Sequence, residues 1–178
     1  MKRLLSVFAL LSSIACAAGC SSASSSSFNS DAGPAITGTG TATASGTVPG
    51  LALDSPTARS IARSEPPFTQ LMIAPTELTC SVIDTSDHIT IDLGAQTTGT
   101  YVVVKGFPTK PGLSGFQARA HACPAAATNA APCHDQILKG QVVVMKYDAA
   151  PGGKVEGTYE LTFADGTITG SFSALRCN

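Results

Sequence analysis

Along residues 48–178 apolar and polar side chains trade places every second position in short bursts, and Gly and Pro separate the bursts. A two-residue period turns one side of an extended chain toward a core and the other toward water, so it predicts half-buried strands. The clearest burst is C-terminal. Tyr159, Leu161 and Phe163 alternate with Thr158, Glu160 and Thr162, and Ile168, Phe172 and Ala174 alternate with Thr167, Thr169, Ser171 and Ser173. Asp165-Gly166 between them predicts a tight hairpin turn, because glycine takes the positive backbone angles such turns use. Residues 141–147 predict a third strand, joined through Pro151-Gly152-Gly153. Ile89, Ile91 and Leu93, followed by residues 100–105, predict a second hairpin; residues 69–74 and 115–122 predict two more strands, and residues 47–53 a further one. About eight strands at this spacing predict an all-β domain, a sandwich or a closed barrel-like packing large enough to hold a core, and turns that read as hairpins and crossings rather than even staves favour the antiparallel β-sandwich. One short helix is expected, with Ser55 as N-cap, Pro56 at the first helical position, Ala58, Ile61 and Ala62 on one face, and Pro66-Pro67 as its stop.

The N-terminus follows a different pattern. Lys2 and Arg3 precede an apolar run over residues 4–15 that is too short to cross a bilayer, which predicts an export signal. The run ends in Ala17-Ala18-Gly19-Cys20, which resembles the lipobox of bacterial lipoproteins, with Ala17 where that family usually has leucine. The resemblance implies cleavage before Cys20, acylation of Cys20 and, with Ser21 next, sorting to the outer membrane. Ordinary signal cleavage is the competing reading, since Ala15-Cys16-Ala17 also satisfies a small-x-small rule. The chain then divides into a signal over 1–19, a lipidated tether over 20–47 and a β-sandwich domain over 48–178. The tether is nearly all Ser, Thr, Gly and Ala, with Asp31 its only charge, a composition that cannot offset its own ordering entropy and reaches about 30 Å as a flexible coil.

Charge narrows the partners. Of 11 basic residues two leave with the signal while all 12 acidic ones remain, so the mature chain is weakly acidic and has no footprint for nucleic acid or anionic headgroups. Trp is absent and most aromatics fall at core positions, which leaves little platform for stacking sugars or bases. Membrane contact is expected through the lipid alone.

Cys16 leaves with the signal and Cys20 takes lipid, so Cys80, Cys123, Cys133 and Cys177 remain, an even number suited to an oxidising compartment. Four cysteines allow three connectivities. Cys123–Cys133 is the expected short bridge, because the alanine-rich loop between them, flanked by Pro124 and Pro132, is easily closed; Cys80–Cys177 follows by exclusion.

Chemistry-bearing residues are few. His121, Cys123, Cys133, His134 and Asp135 could supply soft ligands, yet metal-finger spacings are missing, adjacent Cys133-His134 rarely both reach one tetrahedral ion, and a cystine has no thiolate to give. No metal and no cofactor are expected. His88 lies beside Asp87 and near Asp84 and Asp92, but no nucleophile elbow accompanies it, and a loop histidine is the plainer reading. Glu156, Glu160, Asp148 and Asp165 read as solvated acids. No glycine loop that cradles phosphate precedes a helix. The run Gly157-Thr158-Tyr159-Glu160-Leu161-Thr162-Phe163, Asp165-Gly166, Thr169-Gly170-Ser171-Phe172 and Cys177 resembles the closing hairpin of a group of uncharacterised bacterial lipoproteins, which implies a fold ending and no activity. Two functions remain: a lipid-anchored structural or protein-binding module of the cell envelope, or a periplasmic or surface hydrolase using His88, His121 and His134 with Asp87 and Asp135. Convergence of those side chains in one concave pocket would favour the enzyme.

Overall fold

The computed structural model describes residues 36, 38–63, 68–80, 87–105, 115–125, 133–134 and 137–177. Cys20, Asp84 and Asp135 lie outside the described residues. Among the described residues there are ten strands: β1 (Thr41–Ala42), β2 (Ser45–Thr47), β3 (Thr57–Arg63), β4 (Phe68–Ala74), β5 (His88–Leu93), β6 (Gly99–Val103), β7 (Gln117–Cys123), β8 (Ile137–Tyr147), β9 (Lys154–Phe163) and β10 (Gly166–Arg176). The fold is all-β, as the alternation predicts, but the sheet closes into a barrel of eight strands and is not a sandwich. The ring runs β10-β3-β4-β5-β7-β6-β8-β9 and returns to β10. Alternation is the same in a sandwich and a barrel; what decides is that β10 pairs with β9 on one side and reaches β3 on the other, through parallel partners Leu175↔Arg59 and Arg176↔Ser60.

Side chains fill the interior, and their sizes are matched across the ladder. On β5 and β7 the inward pairs are Ile89↔Ala122, Ile91↔Ala120 and Leu93↔Ala118, each a large residue over a small one. On β9 and β10 the inward pairs Tyr159↔Gly170 and Phe172↔Gly157 set an aromatic ring over a glycine. A Cβ on Gly170 would lie 2.7 Å from the Tyr159 ring, and one on Gly157 would lie 2.8 Å from the Phe172 ring. These glycines make room for two rings in a narrow interior and let the longest strands coil. Outward positions of β9 and β10 carry Lys154, Thr158, Glu160, Thr167 and Thr169, all exposed.

Five local expectations are corrected. The helix after Ser55 is strand β3: the segment fits a helical stripe and a two-residue period equally, and seven ladder pairs with β4, from Thr57↔Ala74 to Arg63↔Phe68, decide for extension. Ser55 itself has φ 50° and turns the chain into the strand. The hairpin expected from residues 88–105 does not form, because β7 lies between β5 and β6, antiparallel to the first and parallel to the second. The C-terminal hairpin is present, but its turn is Ala164-Asp165, and Gly166 is already in β10 opposite Phe163. Gly166 is required for a different reason: a Cβ there would strike the carbonyl oxygen of Thr47. The strand expected over 47–53 is a turn, in which Leu51 N–H donates to the Val48 carbonyl at 3.1 Å with Gly50 at φ 76°. Residues 41–47, placed in the tether on composition, form β1 and β2 along β10 (Ala42↔Phe172, Gly46↔Ile168). Backbone pairing to an open edge asks nothing of side chains, so Thr, Ala, Ser and Gly suffice.

One end of the barrel is polar. Arg176, 4% exposed, donates through Nη1 to the Tyr147 hydroxyl, and its guanidinium lies 5.6 Å from the centre of that ring. The same hydroxyl meets Thr69 Oγ1 at 2.7 Å. Cys80 and Cys177 are joined beside this end, with Cα atoms 5.2 Å apart.

Candidate functional site

The histidines are set by β5 and β7. His88 stands opposite Cys123 and Thr90 opposite His121, and since Ile89, Ile91, Ala120 and Ala122 point inward, strand alternation turns all four outward. His88 and His121 are therefore diagonal neighbours across the ladder, with Cys123 beside both. One ligand atom of each of His88, His121 and Cys123 lies within 4.8 Å of the others. Cys123 is only 5% exposed and neighbouring Thr90 only 3%, while His88 and His121 are half-buried. Cys123 is joined to Cys133, Cα to Cα 4.2 Å.

The remaining candidates are spent on holding loops. His134 exchanges both backbone hydrogen bonds with Ala122, at 3.0 and 2.7 Å. Its ring has Nε2 3.0 Å from the Pro49 carbonyl oxygen and Nδ1 3.2 Å from an Asp165 carboxylate oxygen, the latter an ion pair when the imidazole is protonated. Asp87 accepts from the amides of Ala52 at 2.6 Å and Ala125 at 2.5 Å, bridging two connections 73 residues apart in sequence. Asp92 accepts from Gln70 Nε2 at 3.1 Å and faces Arg119 across the ladder. Burial pushes the Arg119 guanidinium below its ordinary range, and Asp92 pulls it partly back. Glu156 accepts from the Ser173 hydroxyl at 3.1 Å, and Asp148 from the Ala150 amide at 3.0 Å.

The expected constellation of His121, Cys123, Cys133 and His134 is thus regrouped: His134 turns to Pro49 and Asp165, and His88 takes its place. Strand pairing alone reveals this, because 33 positions separate His88 from His121 in the sequence. Two concave surfaces are formed by described residues. A cleft of about 270 Å³ is lined by Ala44, Leu51, Leu53, Asp54 and Ile168 among others, and a depression of about 410 Å³ lies over Thr43, Thr158, Tyr159, Glu160 and Ser171. Neither is lined by a histidine.

Sequence reasoning also missed the buried phenols. Burial pushes the Tyr159 hydroxyl well above its ordinary range, and it donates to the Thr43 carbonyl at 2.8 Å. Tyr101 is raised by burial, lowered in part by its 2.6 Å bond to the Thr97 carbonyl, and raised further by Tyr147. Their alternation marked them as core; nothing marked their partners. Comparison with known proteins gives no significant match to a family model, a curated protein or a solved structure.

Proposed function

We propose that the mature protein is a lipid-anchored barrel of the bacterial cell envelope, held at the outer membrane through acylated Cys20, whose role is to bind another envelope protein. The observation that carries the binding role is the exposure of large apolar side chains on neighbouring strands: Val102 on β6 and Leu138 and Met145 on β8 are 59%, 50% and 64% exposed, and Phe116, leading into β7 with its ring edge-on to Tyr101, is 53% exposed. Large apolar side chains left in water on neighbouring strands are a mark of a protein contact. The oxidising envelope accords with two disulfides in one small domain, and the anchor with the signal and Cys20. The hydrolase reading has less support, since Asp87 and His134 hold loops.

Two measurements test the proposal. Cys20→Ala should move the protein from the membrane fraction to the soluble one, because several acyl chains exceed the threshold for stable attachment and a weakly acidic domain is not drawn to anionic headgroups. Retention after a high-salt wash would overturn the anchor. A photocrosslinking residue in place of Met145 should give one discrete adduct in intact cells of the producing bacterium, and one in place of Thr158 none; equal labelling from both would overturn the assigned face.

A further inference from the structure

The group of His88, His121 and Cys123 has a chemistry that neither the anchor nor the binding face uses. Its ligand atoms already lie within 4.8 Å of one another, and the fourth donor is fixed by covalent bonding, since Cys133 Sγ is attached to Cys123 Sγ. Sequence spacing argued against a metal because adjacent Cys133 and His134 would both have to reach one ion. The structure removes that objection: His134 is engaged with Pro49 and Asp165, and His88 arrives from β5 opposite Cys123. A tetrahedral zinc with sulfurs at about 2.3 Å and nitrogens at about 2.0 Å asks for donor atoms about 3.3–3.8 Å apart. Side-chain rotation on two rigid, paired strands supplies the remaining closure. Buried Cys123 and Thr90 close the site on its inner side, while His88 and His121 are half-buried and leave it open to an incoming ion.

We propose that His88, His121, Cys123 and Cys133 form a redox-gated site for zinc or a similar borderline divalent cation. In the oxidised protein both sulfurs are committed to the disulfide and the two imidazoles alone hold an ion weakly. A dithiol reductant gives two electrons and two protons to the Cys123–Cys133 bond, breaking it to two thiols while the reductant becomes a disulfide. Zinc then binds two thiolates and two neutral imidazoles and displaces the two thiol protons. Oxidation by a disulfide donor reverses the sequence and expels the metal, so the bridge and the ion exclude each other. The site does not depend on the lipid anchor or on the partner-binding face.

The test uses the full mature chain, oxidised and after reduction by a phosphine, with zinc alone as the probe in competition against a chromophoric chelator. The reduced protein is expected to bind one zinc at least about 100-fold more tightly than the oxidised protein. Cobalt in its place should give tetrahedral bands with thiolate charge transfer. Reduced His88→Ala/His121→Ala keeps all four thiols, Cys80 and Cys177 included, and is expected to lose at least about tenfold of that affinity, the size of effect seen when a metal site is depleted of supporting groups. Alkylation mapped by mass spectrometry supplies a second readout: zinc should shield Cys123 and Cys133 while Cys80 and Cys177 react. Equal affinity in the two redox states, undiminished binding by the double histidine variant, or shielding of Cys80 and Cys177 instead would each overturn the site.

Discussion

At the residue scale the barrel interior depends on pairs rather than on single large side chains. Phe172 covers Gly157 and Tyr159 covers Gly170, so truncating a ring leaves a void that a glycine cannot fill. Phe172→Ala is expected to cost about 3–5 kcal/mol, while Thr169→Ala, exposed on the outer side of the same strand, should cost less than about 1 kcal/mol. Urea denaturation of the two variants checks the facing, and equal losses would contradict it. Gly166→Val should also destabilise, through collision with the Thr47 carbonyl rather than through backbone angle. Tyr159 adds a pH dependence. Burial raises the folded-state pKa of its phenol above the ordinary 10.0, so above about pH 10 the unfolded chain releases a proton that the fold retains. Stability is therefore unaffected below that pH and falls as pH rises beyond it, by up to about 1.4 kcal/mol per pH unit for this phenol. Tyr159→Phe should flatten that part of the alkaline curve while costing about 1 kcal/mol at neutral pH for the lost bond to Thr43.

At the scale of elements the two disulfides do different work. Cys80–Cys177 closes a separation of 97 residues and Cys123–Cys133 one of 10. The long bridge also fastens the end of β10, where Cys177 N–H donates to the Ser60 carbonyl at 2.9 Å. On the chain-entropy model, replacing both members of the long bridge by serine should cost about 4.7 kcal/mol and of the short one about 3 kcal/mol. Thermal unfolding of the two paired variants checks that order. Strand existence was legible in the sequence wherever bulky and polar residues alternate, as in Tyr159-Glu160-Leu161-Thr162-Phe163. It was illegible in Thr57-Ala58-Arg59-Ser60-Ile61, where small residues fit two periods and only the ladder to β4 chooses. Strand order was illegible too: nothing local indicates that β7 inserts between β5 and β6, and the regrouping of His88 with His121 is a direct consequence of that insertion. Arg59 and Arg176 escaped notice because charge reads as surface, whereas both are nearly buried. Arg59 finds its partner in the Thr79 carbonyl at 2.7 Å, and Arg176 finds its own in Tyr147.

At the scale of the whole molecule, closure is uneven around the ring. β10 meets β9 through ten registered pairs, from Gly166↔Phe163 to Leu175↔Lys154, but meets β3 through only two, Leu175↔Arg59 and Arg176↔Ser60. The rest of that edge of β10 would be bare backbone, an invitation to pair with another chain. β1 and β2 occupy it, with Thr41↔Ser173 and Ala42↔Phe172 next to the seam and Ser45↔Thr169 through Thr47↔Thr167 beyond. Thr43 ties the two together, its amide donating to the Ser171 carbonyl at 2.9 Å and its carbonyl accepting from Tyr159 at 2.8 Å. The stretch that composition assigns to a tether therefore guards this edge of β10, and Gly46 and Gly166 allow the close approach that this requires, because a Cβ on either would strike a backbone carbonyl of the facing strand. A chain beginning at Val48 should lose at least about 2 kcal/mol, since several backbone bonds and the Tyr159 acceptor go with residues 41–47. It should also self-associate, its bare β10 pairing with a second copy. Light scattering of the shortened and the full mature chain over a concentration series measures both the mass and its onset. A shortened chain that stays monomeric with unchanged stability would show that β3 alone secures the seam.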